Sequence, residues 1–316
     1  MPARFDCEIA AIETQAAHDP RQLDVIDLDQ RLGIQADQRR GARRSAFAGA
    51  RLRTRARGGQ RSGQELPPSE CHDCSVVPTP RPVRVHGHRG ARAVLPENTL
   101  AGFQYAIAVG ADAIEMDVAA TLDDVPVISH DPWLRGGRPK IRELSFEDLR
   151  RRAPDIPTLE EVLALAPLGA FLFNIEIKSD PKRPKLSPAP EPFACLVLDA
   201  VLGRGLAGRA MVQSFDFRVL RAARRRAPQL TLGALFDRTP RSFACIAHRA
   251  EASIAVPHRW LVTPRKVEAA HRAGVPVYVW TVNGPSAWRR QIAAGVDAII
   301  TDDPAGLIGF LNTRHE

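Results

Sequence analysis

The chain has 316 residues, 44% of them apolar, with five cysteines and a net charge of +8, enough to bury a core as one large domain or two small ones. It holds no run of eighteen apolar residues that could cross a membrane, and its first thirty residues carry acids in place of the apolar core of a secretory leader. An odd cysteine count in so long a chain does not suggest a disulfide framework, so a cytoplasmic location is expected.

Residues 1–82 differ in character from the remainder. Between Arg39 and Arg61 lie nine arginines and no acid, so this one segment accounts for the basic balance and the rest is close to neutral. Low hydrophobicity with Arg, Gly, Gln and Ser, then a Pro-rich exit from Pro67 to Pro82, is the composition of a disordered extension. At most a loose helix or two fits Ile9 to Leu32. An arginine-rich arm can bind nucleic acid or an anionic membrane through phosphate contacts, but a dispensable extension is the favoured expectation. Cys71-His72-Asp73-Cys74 has a zinc-like spacing, yet with no second pair it falls short of the four ligands a closed zinc site needs.

From Val83 onward, strand and helix patterns alternate. The runs Val83–Gly87, Ala113–Val118, Ala170–Ile177, Ala210–Ser214, Thr231–Leu235, Ser253–Ala255, Pro276–Trp280 and Ala298–Thr301 read as strands. Helical spacing covers Thr99–Val109, Thr158–Ala166, Pro192–Leu202, Phe217–Ala227, Ser242–Arg249, Pro264–Ala273 and Pro285–Ala294. Asn98 or Thr99 can cap the first of these, and Gly110, Gly203, Gly274 and Gly295 close four of them. Val125–Ser129 follows its predecessor too closely for a crossover and is expected in a hairpin or as an extension within a long loop. Eight strands with intervening helices over roughly 230 residues match a (β/α)8 barrel, which takes about 250. An open doubly wound sheet would need a Gly-rich phosphate loop that is missing. The expected architecture is therefore an α/β barrel domain over 83–316 behind a disordered extension over 1–82.

In such a barrel chemistry gathers at the carboxyl ends of the strands. His88 and Arg89 end the first strand, Glu115 and Asp117 share one face of the second, and Glu176 and Lys178 end the third. Gln213 and Ser214 end the fourth, Trp280 the seventh, and Thr301 and Asp302 the eighth, while His130 and Asp131 follow the hairpin run. Alternating charge on a strand is most often a solvated face. Strands covered by helices are apolar throughout, however, and Leu172, Phe173, Ile175 and Ile177 obey that rule where Glu176 and Lys178 break it. Buried carboxylates must be paired or hold a cation. Glu115, Asp117 and Glu176 outnumber Arg89 and Lys178, so the oxygen ligands and the charge point to a hard divalent ion, Mg2+ or Ca2+, rather than zinc. His88 and His130 can supply one acid and one base near neutral pH, and a metal with two cationic side chains would stabilise charge on phosphate oxygens. Together these groups suit phosphodiester cleavage. His86 reads as a bystander, and His18, His72, His248, His258, His271 and His315 lack such company.

At these residues the chain strongly resembles the glycerophosphodiester phosphodiesterase family. HRGARAVLPENTLAGF, GADAIEMDV, VPVISHD, NIEIK, VQSFD, VYVWTVN and GVDAIITDDP occur in family order from Val83 nearly to the C-terminus. The resemblance implies hydrolysis of a glycerophosphodiester to glycerol 3-phosphate and an alcohol, with a glycerol hydroxyl often proposed as first nucleophile through a cyclic phosphate. It implies His88 and His130 as the acid/base pair, their division of roles open and His130 favoured as the acid. Glu115, Asp117 and Glu176 would hold one divalent cation, Arg89 and Lys178 the phosphate. Glu97 would stand close to the metal, behind its ligands or joined to it through water, with Gln213 and Trp280 in the surrounding pocket and Trp280 on the wall for the glycerol or head group. The pattern departs at Asp124, where the family's T-x-D-G turn has glycine; aspartate tolerates a left-handed backbone, so a slightly strained turn and an intact site are expected. The segment from Pro132 to Pro157 is short where other members insert a subdomain, which implies an open mouth and broad head-group tolerance. A lysophospholipase D acting on lipid would need an apolar groove at the mouth, for which the sequence has no clear signal. A non-catalytic phosphodiester-binding barrel would have lost one of these site residues, and all are present.

Overall fold

A computed structural model describes residues 83–134 and 137–313; the expectations for the arginine-rich segment, the Cys71–Cys74 pair and the helix near Ile9 lie outside them. The strands are β1 (Arg84–Gly87), β2 (Ala113–Ala120), β3 (Pro126–Ile128), β4 (Leu172–Ile177), β5 (Ala210–Ser214), β6 (Thr231–Phe236), β7 (Ile254–Pro257), β8 (Tyr278–Val279) and β9 (Ala298–Thr301). Eight of them pair in parallel in the order β7-β6-β5-β4-β2-β1-β9-β8. Single parallel bridges from Ala255 to Val277 and from His258 to Trp280 join the two ends, so the sheet is a nearly closed barrel, as expected. The run after Val125 does fold back: β3 lies antiparallel on β2, with Val118 opposite Ile128.

The α-helices of the described residues are α1 (Leu100–Ala108), α2 (Phe146–Arg152), α3 (Leu159–Leu163), α4 (Pro190–Gly203), α5 (Phe217–Arg226), α6 (Phe243–Arg249), α7 (Pro264–Arg272), α8 (Pro285–Ala293) and α9 (Pro304–Asn312). Two of these have no counterpart in the helical spacing of the sequence. Helix α2 buries only Leu149, so it shows no apolar stripe, and α9 is apolar nearly all round and interrupted by Gly306 and Gly309. Thr99, not Asn98, caps α1, its hydroxyl accepting from the Gly102 amide.

Strand alternation sorts the side chains into two cores. Ile114, Met116, Phe173, Ile175 and Val212 face outward and pack under the helices with Phe103, Phe193 and Val219. Met211, Leu235, Ile254, Val256, Tyr278, Ala298 and Ile300 form a separate cluster that fills part of the barrel interior. A third cluster of Ala119, Val127, Ile141, Leu144 and Leu149 braces the β2–β3 hairpin against the segment that follows His130. Asp124 occupies the left-handed region at φ 60° and pairs with Arg142 at 2.6 Å, so the hairpin turn holds without glycine.

Candidate active site

The first turn after β1 is set by two glycines. A Cβ at Gly87 would fall on the Gly90 carbonyl oxygen, and Gly90, at φ 89°, lies against the backbone at Gly102. This close approach folds His88 and Arg89 over the end of the strand. Arg89 (φ 52°) and Asn98 (φ 58°) also adopt left-handed backbone, a conformation that costs a non-glycine residue of order 1 kcal/mol and gathers at functional sites. Asn98 uses it to clamp the second strand: its Nδ2 donates to Asp117 Oδ2 at 2.8 Å, and its Oδ1 accepts from the Asp117 amide at 3.3 Å.

Parallel register brings Glu115 opposite Asn174 and Asp117 opposite Glu176. Ligand oxygens of Glu115, Asp117 and Glu176 consequently lie within 4.8 Å of one another, all buried. Lys178 Nζ bridges Glu176 at 2.7 Å and Asp117 at 2.9 Å. Arg89 Nε sits 3.0 Å from Asp117, and the Arg89 amide donates to Glu115 at 3.0 Å. Gln213, level with Glu176 on β5, donates to Glu115 Oε1 at 3.2 Å. Burial and the charges of Asp117 and Glu176 push the Glu115 pKa well up. Burial likewise raises Glu176 despite the opposing charge of Lys178. For Asp117 burial is outweighed by Lys178 and Arg89, which hold it below the usual carboxylate range. Three buried oxygen donors with an unneutralised charge fit a hard divalent cation.

The two histidines approach from opposite edges. His88 Nδ1 lies 2.5 Å from Asp302 Oδ1, and Asn283 donates to the other Asp302 oxygen at 2.6 Å. Burial of Asp302 is outweighed by these bonds, so its pKa is lowered and it stays a carboxylate. The Ser129 amide at the end of the hairpin donates to the Asp117 carbonyl at 2.9 Å, which seats His130 beside the cluster. His130 Nδ1 meets Asp131 at 2.9 Å, and its pKa is lowered by burial and by the charge of Lys178.

Glu97 stands one layer out from the ligand carboxylates, on the arginine that touches Asp117 and Glu115. Its carboxylate grips Arg89 at 3.0 Å and Arg92 at 2.6 Å and stands outside the group of three ligand carboxylates. Trp280 directly follows β8, its indole donating to the Val256 carbonyl at 2.9 Å. Two histidines set aside on sequence do have company: His258 follows β7 with its ring 4.8 Å from Trp280, and His271 meets Asp297 at 2.8 Å. The Asp302–His88 contact and the Asn98 clamp were missed as roles, although Asp302 had stood out as a polar residue at the end of its strand.

This fold and site place the protein in a class, the phosphoric diester hydrolases built on a (β/α)8 barrel. The glycerophosphoryl diester phosphodiesterase family model matches residues 88–306, and the chain belongs to that family. A glycerophosphodiester phosphodiesterase of Caldanaerobacter subterraneus is 34% identical over 241 residues, covering 72% of this chain and 97% of the relative. Among solved structures, a Silicibacter pomeroyi protein named as a candidate glycerophosphoryl diester phosphodiesterase is 33% identical, covers 73% of this chain and 94% of its own, and has a TM-score of 0.67. The Thermotoga maritima glycerophosphodiester phosphodiesterase is 27% identical over 72% of this chain and 97% of its own, with a TM-score of 0.57.

Proposed function

We propose that this glycerophosphodiester phosphodiesterase is metal-dependent, works by histidine acid/base catalysis, and releases glycerol 3-phosphate and an alcohol. The observation that carries the reading is the meeting of three buried carboxylates within 4.8 Å, with Lys178 and Arg89 as their cationic partners. Glu115, Asp117 and Glu176 would hold Mg2+ or Ca2+, which when bound polarises a phosphoryl oxygen and offsets the charge developing there. Arg89 and Lys178 bind the remaining phosphate oxygens, and Glu97 and Asp117 restrain both cations beforehand.

Asp302 accepts the Nδ1 proton of His88, which leaves Nε2 as the base that takes a proton from the attacking hydroxyl of glycerol or water. His130 returns a proton to the departing alcohol oxygen as the ester bond breaks. A lowered pKa makes its protonated ring a stronger donor, and the phosphate charge helps to keep that proton in place until it is needed. Gln213 acts by orienting Glu115, and Trp280 lines the wall for the organic part of the substrate. A cytoplasmic setting belongs to the proposal; among the described residues no helix is long and apolar enough to cross a membrane.

The test is release of glycerol 3-phosphate from glycerophosphocholine after EDTA treatment, then with Mg2+ or Ca2+ restored. Activity should vanish and return in the native chain and stay absent in Glu115→Ala. Undiminished turnover in EDTA would overturn the metal assignment.

A further inference from the structure

Beyond Trp280, the catalytic face carries a row of rings to which the proposed chemistry gives no part. Phe215 meets Trp280 edge-on at 5.4 Å, Trp280 meets His258 at 4.8 Å, and His258 leads to Trp260 at 6.0 Å. Exposure rises outward along this row, from half-buried Trp280 to Trp260 at 72%. A tryptophan left so far in water forgoes most of the transfer free energy that its ring could gain. The rest of the surface shows the same bias. Among the described residues, Val94, Leu122, Phe215 and Trp260 are exposed large apolar side chains on loops at the strand ends, and only Leu168 is exposed elsewhere.

On one side of that face the charge follows the same bias, while the loops after β1, β2, β3 and β9 carry acids such as Glu97, Asp123, Asp131 and Asp303. The loops after β4, β5, β6 and β7 carry Lys182, Arg183, Lys185, Arg238, Arg241 and Arg259 against Asp180, Asp216 and Asp237. The loops that lead from helices into strands, at the other end of the barrel, carry Arg204 and Arg209 against Asp112, Glu251 and Asp297. The Arg259 guanidinium covers the Trp260 ring at 4.5 Å, and a hollow of about 360 Å³ beside them is lined by Arg259, Asn283 and Arg290. Amphipathic rings flanked by arginines settle at the boundary between headgroups and acyl chains, with the cations on lipid phosphates.

We infer that the catalytic face docks reversibly on an anionic phospholipid surface, with Trp260 as the anchor and Arg238, Arg241 and Arg259 as its charge contacts. The protein then lies on the membrane rather than in it, its mouth turned toward diesters at or leaving the lipid surface.

The experiment is co-sedimentation of the full chain with phosphatidylglycerol-containing vesicles and with pure phosphatidylcholine vesicles. The native chain should bind the anionic vesicles, and less so as salt rises. Trp260→Ala should lower partition by about tenfold, and Arg238→Glu with Arg241→Glu by roughly fivefold or more per site. Each variant should still hydrolyse soluble glycerophosphocholine at the native kcat/KM. Brominated acyl chains should quench tryptophan fluorescence in the native chain and lose that effect in Trp260→Phe. Absence of vesicle binding overturns the inference. So does binding that survives all these substitutions, which assigns it to another part of the chain, such as the arginine-rich segment. A raised KM for the soluble substrate in Trp260→Ala, with vesicle binding unchanged, makes Trp260 a substrate contact and also overturns it. Vesicle binding is read without turnover, so its failure is distinct from failure of the proposed chemistry.

Discussion

Inside the barrel, β1, β2, β4 and β5 bury His86, Glu115, Asp117, Asn174, Glu176 and Gln213, whereas β6, β7, β8 and β9 bury Leu235, Ile254, Val256, Tyr278 and Ile300. Exposure does not separate the two sides; both are sealed from water. The apolar side closes by packing, its one hydroxyl, on Tyr278, accepting a hydrogen bond from Arg84. The polar side keeps His86 Nε2, Asn174 Oδ1 and Gln213 Oε1 without hydrogen-bond partners and crowds three carboxylates around two cations. One half of the interior thus supplies stability, while the other is held in an unfavourable arrangement suited to chemistry.

The substitution that tests this contrast most severely is Glu115→Gln. Its product release should fall by about 10³-fold or more, while the metal-free protein melts a few degrees higher. The sign follows from the raised pKa: the charged carboxylate opposes folding above that pKa, and the opposition is relieved as pH falls through it. A Glu115→Gln chain that is active and less stable would erase the distinction between the halves. On the apolar side, Ile300→Ala should remove about 2–5 kcal/mol of stability in urea unfolding, with kcat/KM per folded molecule little changed.

Asp302→Asn should lower kcat by about 10–100-fold, leaving KM nearly unchanged, because it releases His88 without touching the phosphate contacts. An equal rise in KM would show that Asp302 serves substrate binding instead. The smallest effect concerns His86, pushed down to a pKa of about 3 by burial and the charge of Arg84. It binds a proton in the unfolded chain below its ordinary value of 6.5 but not in the folded one, so stability is lost as pH falls through that window. The slope from this residue is about 1.4 kcal/mol per pH unit. Urea midpoints at pH 7 and pH 4.5 should show it, and His86→Leu should flatten it.

Much of this protein was legible in its linear pattern. The barrel strands announced themselves as apolar runs, and Glu115, Asp117 and Glu176 stood out because carboxylates within or at the end of such a run break it. Lys178, Arg89 and the two histidines were legible for the same reason, each falling at the end of a run. A connection too short to cross over left a hairpin or a loop extension at β3, and the antiparallel pairing with β2 decided for the hairpin. Helix α2, which buries a single leucine, left no periodicity to read, and α9 left too little. The grip of Glu97 on Arg89 was not legible, because the two are eight residues apart across a backbone turn whose left-handed φ no local pattern announces.

By itself, the sequence determined which segments become strands and which polar groups sit at their ends, since side-chain alternation is a local property of the backbone. Only the tertiary structure decided which of those groups meet. Asp302 reaches His88 across 214 positions because β9 pairs with β1, and His258 reaches Trp280 because β7 and β8 close the ring. Ring closure depends on the packing of every strand at once, and no single stretch of residues encodes it.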